Sequence, residues 1–271
     1  MTPSPQNYIH GYDAREGARL QAQAWSVLDL LHADTRFSHG ARVLEVGCGT
    51  GAQTTTLARN NPDAHIVAFD RSESSLAQAR DRVAAARLPN VQFHLADLFE
   101  LPFEERSFDD IFVCFVLEHL EDPLWALRVL RTLLKPGGTI TVFEGDHGSA
   151  YFHPQSAHAD AAIACQVALQ QHASGNAMIG RQLYPLLTSA GFRDVQVSPR
   201  MVYVDGSRPE LIEAFTRRTF TAMIEGVRDR AIASGLSTPA EFDRGIDDLY
   251  RTAASDGVFC YTFFKGIGCE S

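Results

Sequence analysis

The segment Val43-Leu44-Glu45-Val46-Gly47-Cys48-Gly49-Thr50-Gly51 has the sharpest chemical content in the chain: a short apolar run enters three alternate glycines. Glycine lacks a Cβ and tolerates positive φ, so the backbone of such a turn can lie directly against a ligand at the start of a following helix. Gly47, Gly49 and Ala52 also satisfy the loose dinucleotide pattern G-x-G-x-x-A, so the loop alone does not select its ligand. Three acids narrow the choice. Glu45, two residues before the first glycine, would repel a pyrophosphate but suits a cationic amino-acid moiety, directly or through water. Asp70, about twenty residues beyond the loop, can accept hydrogen bonds from both hydroxyls of a ribose, a role common to either ligand class. Asp97, in Leu95-Ala96-Asp97-Leu98, can accept an adenine amino group while its apolar neighbours sandwich the ring.

A second set of polar residues falls beyond the later strands, at the edge where doubly wound folds bind ligands. His119 follows the fourth strand, and either proton transfer or plain packing accounts for a histidine there. Glu144, Asp146 and Tyr151 are expected in a loop just past the fifth strand, where a carboxylate could bind an amine or simply be solvated. His147 joins His119 as a candidate general base, and His153 and Arg181 join the candidate acceptor-binding set. His147, His153 and His158 are too irregularly spaced for a metal site, so no metal is expected. The five cysteines are scattered and never form C-x-x-C, which fits incidental thiols rather than a disulfide frame or zinc site. Phe259, Phe263 and Phe264 read as core strand rather than as a ligand cage.

The elements that must position these groups alternate. Apolar residues at helical spacing from about Asp13 to Asp34 predict a helix ahead of the core. Strands are expected at Arg42 to Val46, His65 to Phe69, Val91 to Leu95, Ile111 to Phe115 and Thr139 to Phe143. Between them fall helices at Ala52 to Asn60, from Leu76 to Arg87 and at Leu124 to Leu134, the last stopped by Lys135-Pro136-Gly137-Gly138. A helix from Arg181 to Ala190 and strands at Asp194 to Ser198 and Phe259 to Lys265 follow. This alternation predicts a mostly parallel, doubly wound α/β sheet with helices on both faces. Residues about 146 to 180 and about 205 to 257 fit no core element and read as insertions; within the second, Thr238-Pro239-Ala240-Glu241 has the pattern of a capped helix start. The expected organisation is a helical cap over 1–39, a core made of 40–204 and 258–271, and a helical lid over 205–257.

The totals bound the partners. A formal charge of -9 repels phosphate backbones, and no basic run interleaves with aromatics, so nucleic acid is not expected as a partner. The N-terminus has neither the cationic nor the apolar region of a signal peptide, and no apolar run reaches the ~18 residues of a membrane span. A cytoplasmic protein without membrane association, monomeric or homodimeric, is expected.

The stretches VLEVGCGTG, IVAFD, HLADLFELPFEERSFDDIFVCFVLEHL and LLKPGGTITV, in this order and spacing, resemble the successive motifs of class I S-adenosylmethionine-dependent methyltransferases. The flanking HGYDAREGARLQAQA, GAQT, Phe152 to Pro154 and FCYTFFK are similar to a small-molecule subgroup that includes the gliotoxin-type N-methyltransferases. The resemblance implies a Rossmann-like seven-stranded sheet whose seventh strand is antiparallel and inserted before the sixth, with helical caps. It also implies that Glu45, Gly47, Cys48, Gly49 and Gln53 surround the methionine part of the cofactor S-adenosylmethionine. Asp70 and Arg71 would take the ribose, Asp97 and Leu98 the adenine, Phe115 and Glu118 the wall beneath the sulfonium, and Tyr12 would close over it. The implied reaction is methyl transfer to a small, nitrogen-bearing acceptor. A nicotinamide-dependent oxidoreductase and a catalytically silent, cofactor-binding regulator are the competing readings; Glu45 and Asp97 speak against the first, and the residue-rich acceptor edge against the second.

Overall fold

The structure is a computed structural model, and it describes residues 31 to 271. The predicted helix ahead of the core therefore lies almost wholly outside the described residues, as does Tyr12; residues 31 and 32 are helical. Five strands and three helices alternate first: β1 (Arg42–Val46), α1 (Thr54–Asn60), β2 (His65–Asp70), α2 (Glu73–Ala85), β3 (Val91–Leu95), β4 (Phe108–Cys114), α3 (Pro123–Leu133) and β5 (Leu134–His153). Next come α4 (Ala157–His172), α5 (Leu183–Ser189) and β6 (Arg193–Asp205). A helical stretch then runs through α6 (Pro209–Leu211), a π-helix (Ile212–Thr221), α7 (Ala222–Glu225), α8 (Arg228–Ala233) and α9 (Pro239–Arg251), and β7 (Val258–Cys269) ends the series.

The strands form one sheet in the order β3-β2-β1-β4-β5-β7-β6, with one strand antiparallel, so β7 lies between β5 and β6 as the resemblance implied. β1 pairs in parallel with β2 on one side and β4 on the other, placing Glu45 opposite both Ala68 and Phe112. The strand order reverses at β1, and loops leaving the carboxyl ends of β1 and β4 diverge there, which is where an open α/β sheet offers a crevice. Among the described residues no helix is long and apolar enough to cross a membrane.

Local chemistry explains the helices. α3 starts where the Asp122 carboxylate accepts the Trp125 N–H and Pro123 takes the first turn, a position that needs no donor. It buries Ala126, Leu127, Leu130 and Leu133 against the sheet, each leucine contributing about 1.5 to 3 kcal/mol. α2 starts at Ser72, whose hydroxyl accepts the Ser75 N–H, and buries Leu76, Ala79 and Val83. The expected start at Thr238 holds in full: its hydroxyl accepts the Glu241 N–H, and the Glu241 carboxylate returns the bond.

The chain divides into two compact units. One, among the described residues, comprises 31–145, 179–200 and 264–271; its core joins Leu44, Val46, Ile111 and Val113 of the central strands to α3 and to Leu183 and Leu187 of α5. The other, among the described residues, comprises 146–178 and 201–263; there α9 packs on α4 so closely that a Cβ on Gly245 would stand 2.5 Å from the His158 carbonyl oxygen. Segments 146–178 and 205–257, expected as separate insertions, thus belong to one body. The last three strands are longer than expected, and β5 most of all: the strand predicted to end at Phe143 runs on to His153. Glu144, Asp146, His147, Tyr151 and His153 are consequently strand residues and not loop residues, because the backbone stays extended through Gly145 and Gly148.

Candidate functional site

The loop after β1 is shaped by three glycines that serve different neighbours. All three have positive φ, +62° at Gly47, +52° at Gly49 and +76° at Gly51. A Cβ on Gly47 would meet Val116 Cγ2 at 2.8 Å, and one on Gly51 would meet Ala79 Cβ of α2 at 2.9 Å. Gly49 alone has nothing within 4 Å of that position. Its N–H donates to Asp70 Oδ2 at 2.8 Å, while Asp70 Oδ1 accepts the Ser72 N–H at 2.8 Å. Asp70 is buried at the end of β2, and burial raises its pKa against the pull of these two donors.

Glu45 is buried at the carboxyl end of β1. Burial pushes its pKa up to about 8, and the nearby Asp70 charge adds to the rise. Its Oε2 has no partner. An unpaired carboxylate oxygen in a dry site is costly unless a cation or donor arrives, so this position fits the amino group of an amino-acid moiety. The Cys48 thiol is buried and pushed far above its ordinary pKa by burial and by the same two acids, so it lines the loop without acting as a nucleophile.

Asp97 follows β3 and accepts the Phe99 N–H on Oδ1 at 2.9 Å, which turns the chain so that Leu98 is buried and Phe99 is exposed. Beyond β4, Phe115 takes φ +57°, a left-handed conformation uncommon for an aromatic residue, held by its N–H donating to the Phe143 carbonyl at 2.9 Å. A single turn, Leu117–His119, follows, and Glu144 secures its start: Oε1 accepts the N–H groups of Val116 at 3.0 Å and Leu117 at 2.7 Å. Glu144 is fully buried, and burial together with Glu118 pushes its pKa well above the usual carboxylate range. Glu118 is buried as well, with Oε1 3.4 Å from Nε2 of the partly exposed His119.

Glu45, Gly47, Cys48, Gly49, Gln53, Asp70, Arg71, Asp97, Leu98, Phe115, Glu118, His119, Glu144 and Arg181 all lie in the first unit. Asp146, His147, Tyr151 and His153 lie in the second. There His147 is buried, with Nδ1 3.1 Å from the Ala177 carbonyl and 3.2 Å from the Tyr261 hydroxyl, and Nε2 3.4 Å from Met223 Sδ. Asp146 is buried and accepts the Gly148 N–H at 3.0 Å, whereas Tyr151 and His153 are exposed. Sequence reading missed Val116, which forces glycine at position 47, and His32, which bonds Gln53. Neither has a motif of its own, since each acts on a motif residue through the fold.

The family described as "Methyltransferase domain" matches residues 37–191. Among curated proteins, an uncharacterized 37.1 kDa protein in transposon TN4556 of Streptomyces fradiae is 31% identical over 91% of this chain and 67% of its own length. The 27-O-demethylrifamycin SV methyltransferase of Amycolatopsis mediterranei is 31% identical over 51% of this chain and 50% of its own. The demethylmenaquinone methyltransferase of Listeria monocytogenes is 34% identical over 40% and 46%. The chain thus spans about half the length of these two named enzymes. Among solved structures, the Haemonchus contortus phosphoethanolamine N-methyltransferase 2 in complex with phosphomonomethylethanolamine and S-adenosylhomocysteine superposes with a TM-score of 0.58 at 18% identity, covering 95% of this chain and 57% of that one. The 4+2 cyclase SpnF superposes at 0.53 and 22% identity, covering 89% and 81%. At such identities these two structures carry the fold alone.

Proposed function

The chain belongs to the methyltransferase-domain family, and from that premise we propose that it binds S-adenosylmethionine around the loop after β1 and methylates a small molecule at nitrogen. The unpartnered Glu45 Oε2, buried beside a glycine loop that has open space at Gly49, carries this reading. A loop with two buried acids opposes a pyrophosphate, which disfavours a nicotinamide cofactor. When bound, the cofactor supplies an already activated methyl group on a sulfonium.

Glu45 takes the ammonium of the methionine part, with Gly47, Cys48, Gly49 and Gln53 around it. Asp70 and Arg71 hold the ribose hydroxyls, and Asp97 accepts the adenine amino group with Leu98 against the ring. The strained Phe115 and the buried Glu118 wall the sulfonium side. Holding two reactants in line in a dry site accounts for about 7 to 11 kcal/mol of barrier lowering, so no protein nucleophile is needed. An amine acceptor must shed its proton before attack, and His119, partly exposed and beside Glu118, is placed to receive it. His147 is the less suited base, since both of its ring nitrogens face partners inside its own unit. Asp146, Tyr151, His153 and Arg181 stay in the proposed acceptor set, and Glu144 holds the 117–119 turn that carries His119.

Titration calorimetry with S-adenosylhomocysteine and with NADH tests the cofactor. Binding of the first and not the second is expected; the reverse would overturn the reading. A panel of small amines, amides, phenols and thiols, read out as S-adenosylhomocysteine formation, tests the acceptor. His119→Ala is expected to slow turnover of any hit at unchanged S-adenosylhomocysteine affinity. The competing reading is a cofactor-binding protein without methyl-transfer activity, which the fold also allows. Tight S-adenosylhomocysteine binding with no methylation anywhere in the panel would favour it.

A further inference from the structure

Gln53 stands at the start of α1 but does not cap it with its side chain. Its Oε1 is bonded instead to Nε2 of His32, twenty-one residues earlier in the chain. His32 is 1% exposed and packs against both Phe112, 5.8 Å away, and Phe143, 6.1 Å away. Burial lowers its pKa to about 4, so the ring is neutral at pH 7 and carries one N–H. An amide oxygen can only accept, so that hydrogen sits on Nε2, and Nδ1, which has no partner, is the bare nitrogen. The buried ring thereby fixes which end of the amide points inward. The oxygen is held in the core, and the NH2 group of the partly exposed Gln53 is turned the other way.

The amino-acid end of the cofactor proposed above is zwitterionic. Glu45 and Asp70 suit its ammonium but repel its carboxylate, which therefore needs a neutral or positive donor. Between Gly47 and Gln53 the other candidate side-chain donors, Cys48 and Thr50, are buried, and Gln53 is the one that is partly exposed. Resting on that cofactor reading, we propose that His32 is a positioning residue that locks the Gln53 amide so that its N–H groups donate to the α-carboxylate of the bound cofactor.

Two ligands separate this role from general support of the fold: S-adenosylhomocysteine, and 5′-methylthioadenosine, which has the same nucleoside but no amino-acid end. By calorimetry, His32→Phe, which keeps a ring against Phe112 and Phe143 but loses the donor, is expected to weaken S-adenosylhomocysteine about tenfold. Methylthioadenosine affinity should stay within about twofold of wild type. Gln53→Leu should show the same selective loss, the double variant should be no worse than Gln53→Leu alone, and His32→Gln, which restores a donor, should recover part of the affinity. If His32→Phe does not fold, as read by its melting transition, His32→Gln and Gln53→Leu carry the same comparison. Unchanged S-adenosylhomocysteine binding, equal weakening of both ligands, or additive losses would overturn the positioning role while leaving the cofactor reading intact. Absence of S-adenosylhomocysteine binding in the wild-type protein would overturn both.

Discussion

Asp70 Oδ2 accepts the N–H of Gly49 at 2.8 Å, so the acid at the end of β2 holds the one glycine of the loop whose Cβ side is open. The carboxylate assigned to ribose is therefore also a structural clamp. Asp70→Ala removes acceptors from Gly49 and Ser72 as well as from the ligand, and should weaken S-adenosylhomocysteine tenfold or more while lowering the melting temperature. Asp70→Asn retains one acceptor and should lie between wild type and Asp70→Ala in both measurements. Unchanged affinity in Asp70→Ala would mean the ribose is bound elsewhere.

Glu45 gives the protein a pH signature. Its carboxyl ionises near 4.5 when unfolded and near 8 in the fold. Below 4.5 both states hold the proton; between the two values the unfolded chain has released it and the fold has not, so stability falls as pH rises and levels off above 8. The loss should amount to a few kcal/mol at order of magnitude. Urea midpoints of wild type and Glu45→Gln from pH 4 to 9 should show the variant's curve flatter by this amount, with its relative gain largest at high pH. If Glu45 meets the cofactor ammonium, binding at pH 7 should also release a proton, visible as a dependence of the calorimetric heat on buffer ionisation.

Gly47→Ala should destabilise the protein by about 2 kcal/mol or more, from left-handed strain and from contact with Val116 Cγ2. Val116→Ala removes the contact but not the strain. In denaturant unfolding the double variant should therefore be less destabilised than the sum of the singles. Strict additivity would show that Val116 is not what excludes a side chain at position 47.

Glu144 is a support for the 117–119 turn. Glu144→Ala leaves the buried N–H groups of Val116 and Leu117 unpaired and should cost about 2 to 5 kcal/mol. Glu144→Gln keeps an acceptor oxygen, and because burial already favours the neutral carboxyl, it should cost under about 1 kcal/mol. Equal losses in the two variants, read by urea unfolding, would contradict this.

How much of this was legible in the sequence depended on the range of the interaction. The glycine loop, Asp70 at the end of β2 and the Thr238 cap are local patterns, and their geometry follows from residues within a few positions. The extent of β5 was not legible, because the apolar, β-branched run that signals a strand stops at Phe143 while the extended backbone continues through glycines and polar residues. Glu144 read as a loop acid, amine-binding or solvated; its partners are the Val116 and Leu117 amides, twenty-eight and twenty-seven residues away. His32 and Gln53 are twenty-one residues apart, and the imidazole that joins them rests on Phe112 of β4 and Phe143 of β5, a packing that no local pattern shows.

The three glycines of the loop therefore answer to different constraints. Gly47 and Gly51 are fixed by Val116 and by Ala79, neighbours inside the protein, and their replacement is paid in folding. Gly49 faces open space, so a residue that tolerates its backbone angles, such as asparagine, should be accepted there with little loss of structure. Drift in ligand preference across a lineage would then concentrate at that middle position. A saturation library at residue 49 is the shortest route to a variant with an altered cofactor and an unaltered fold.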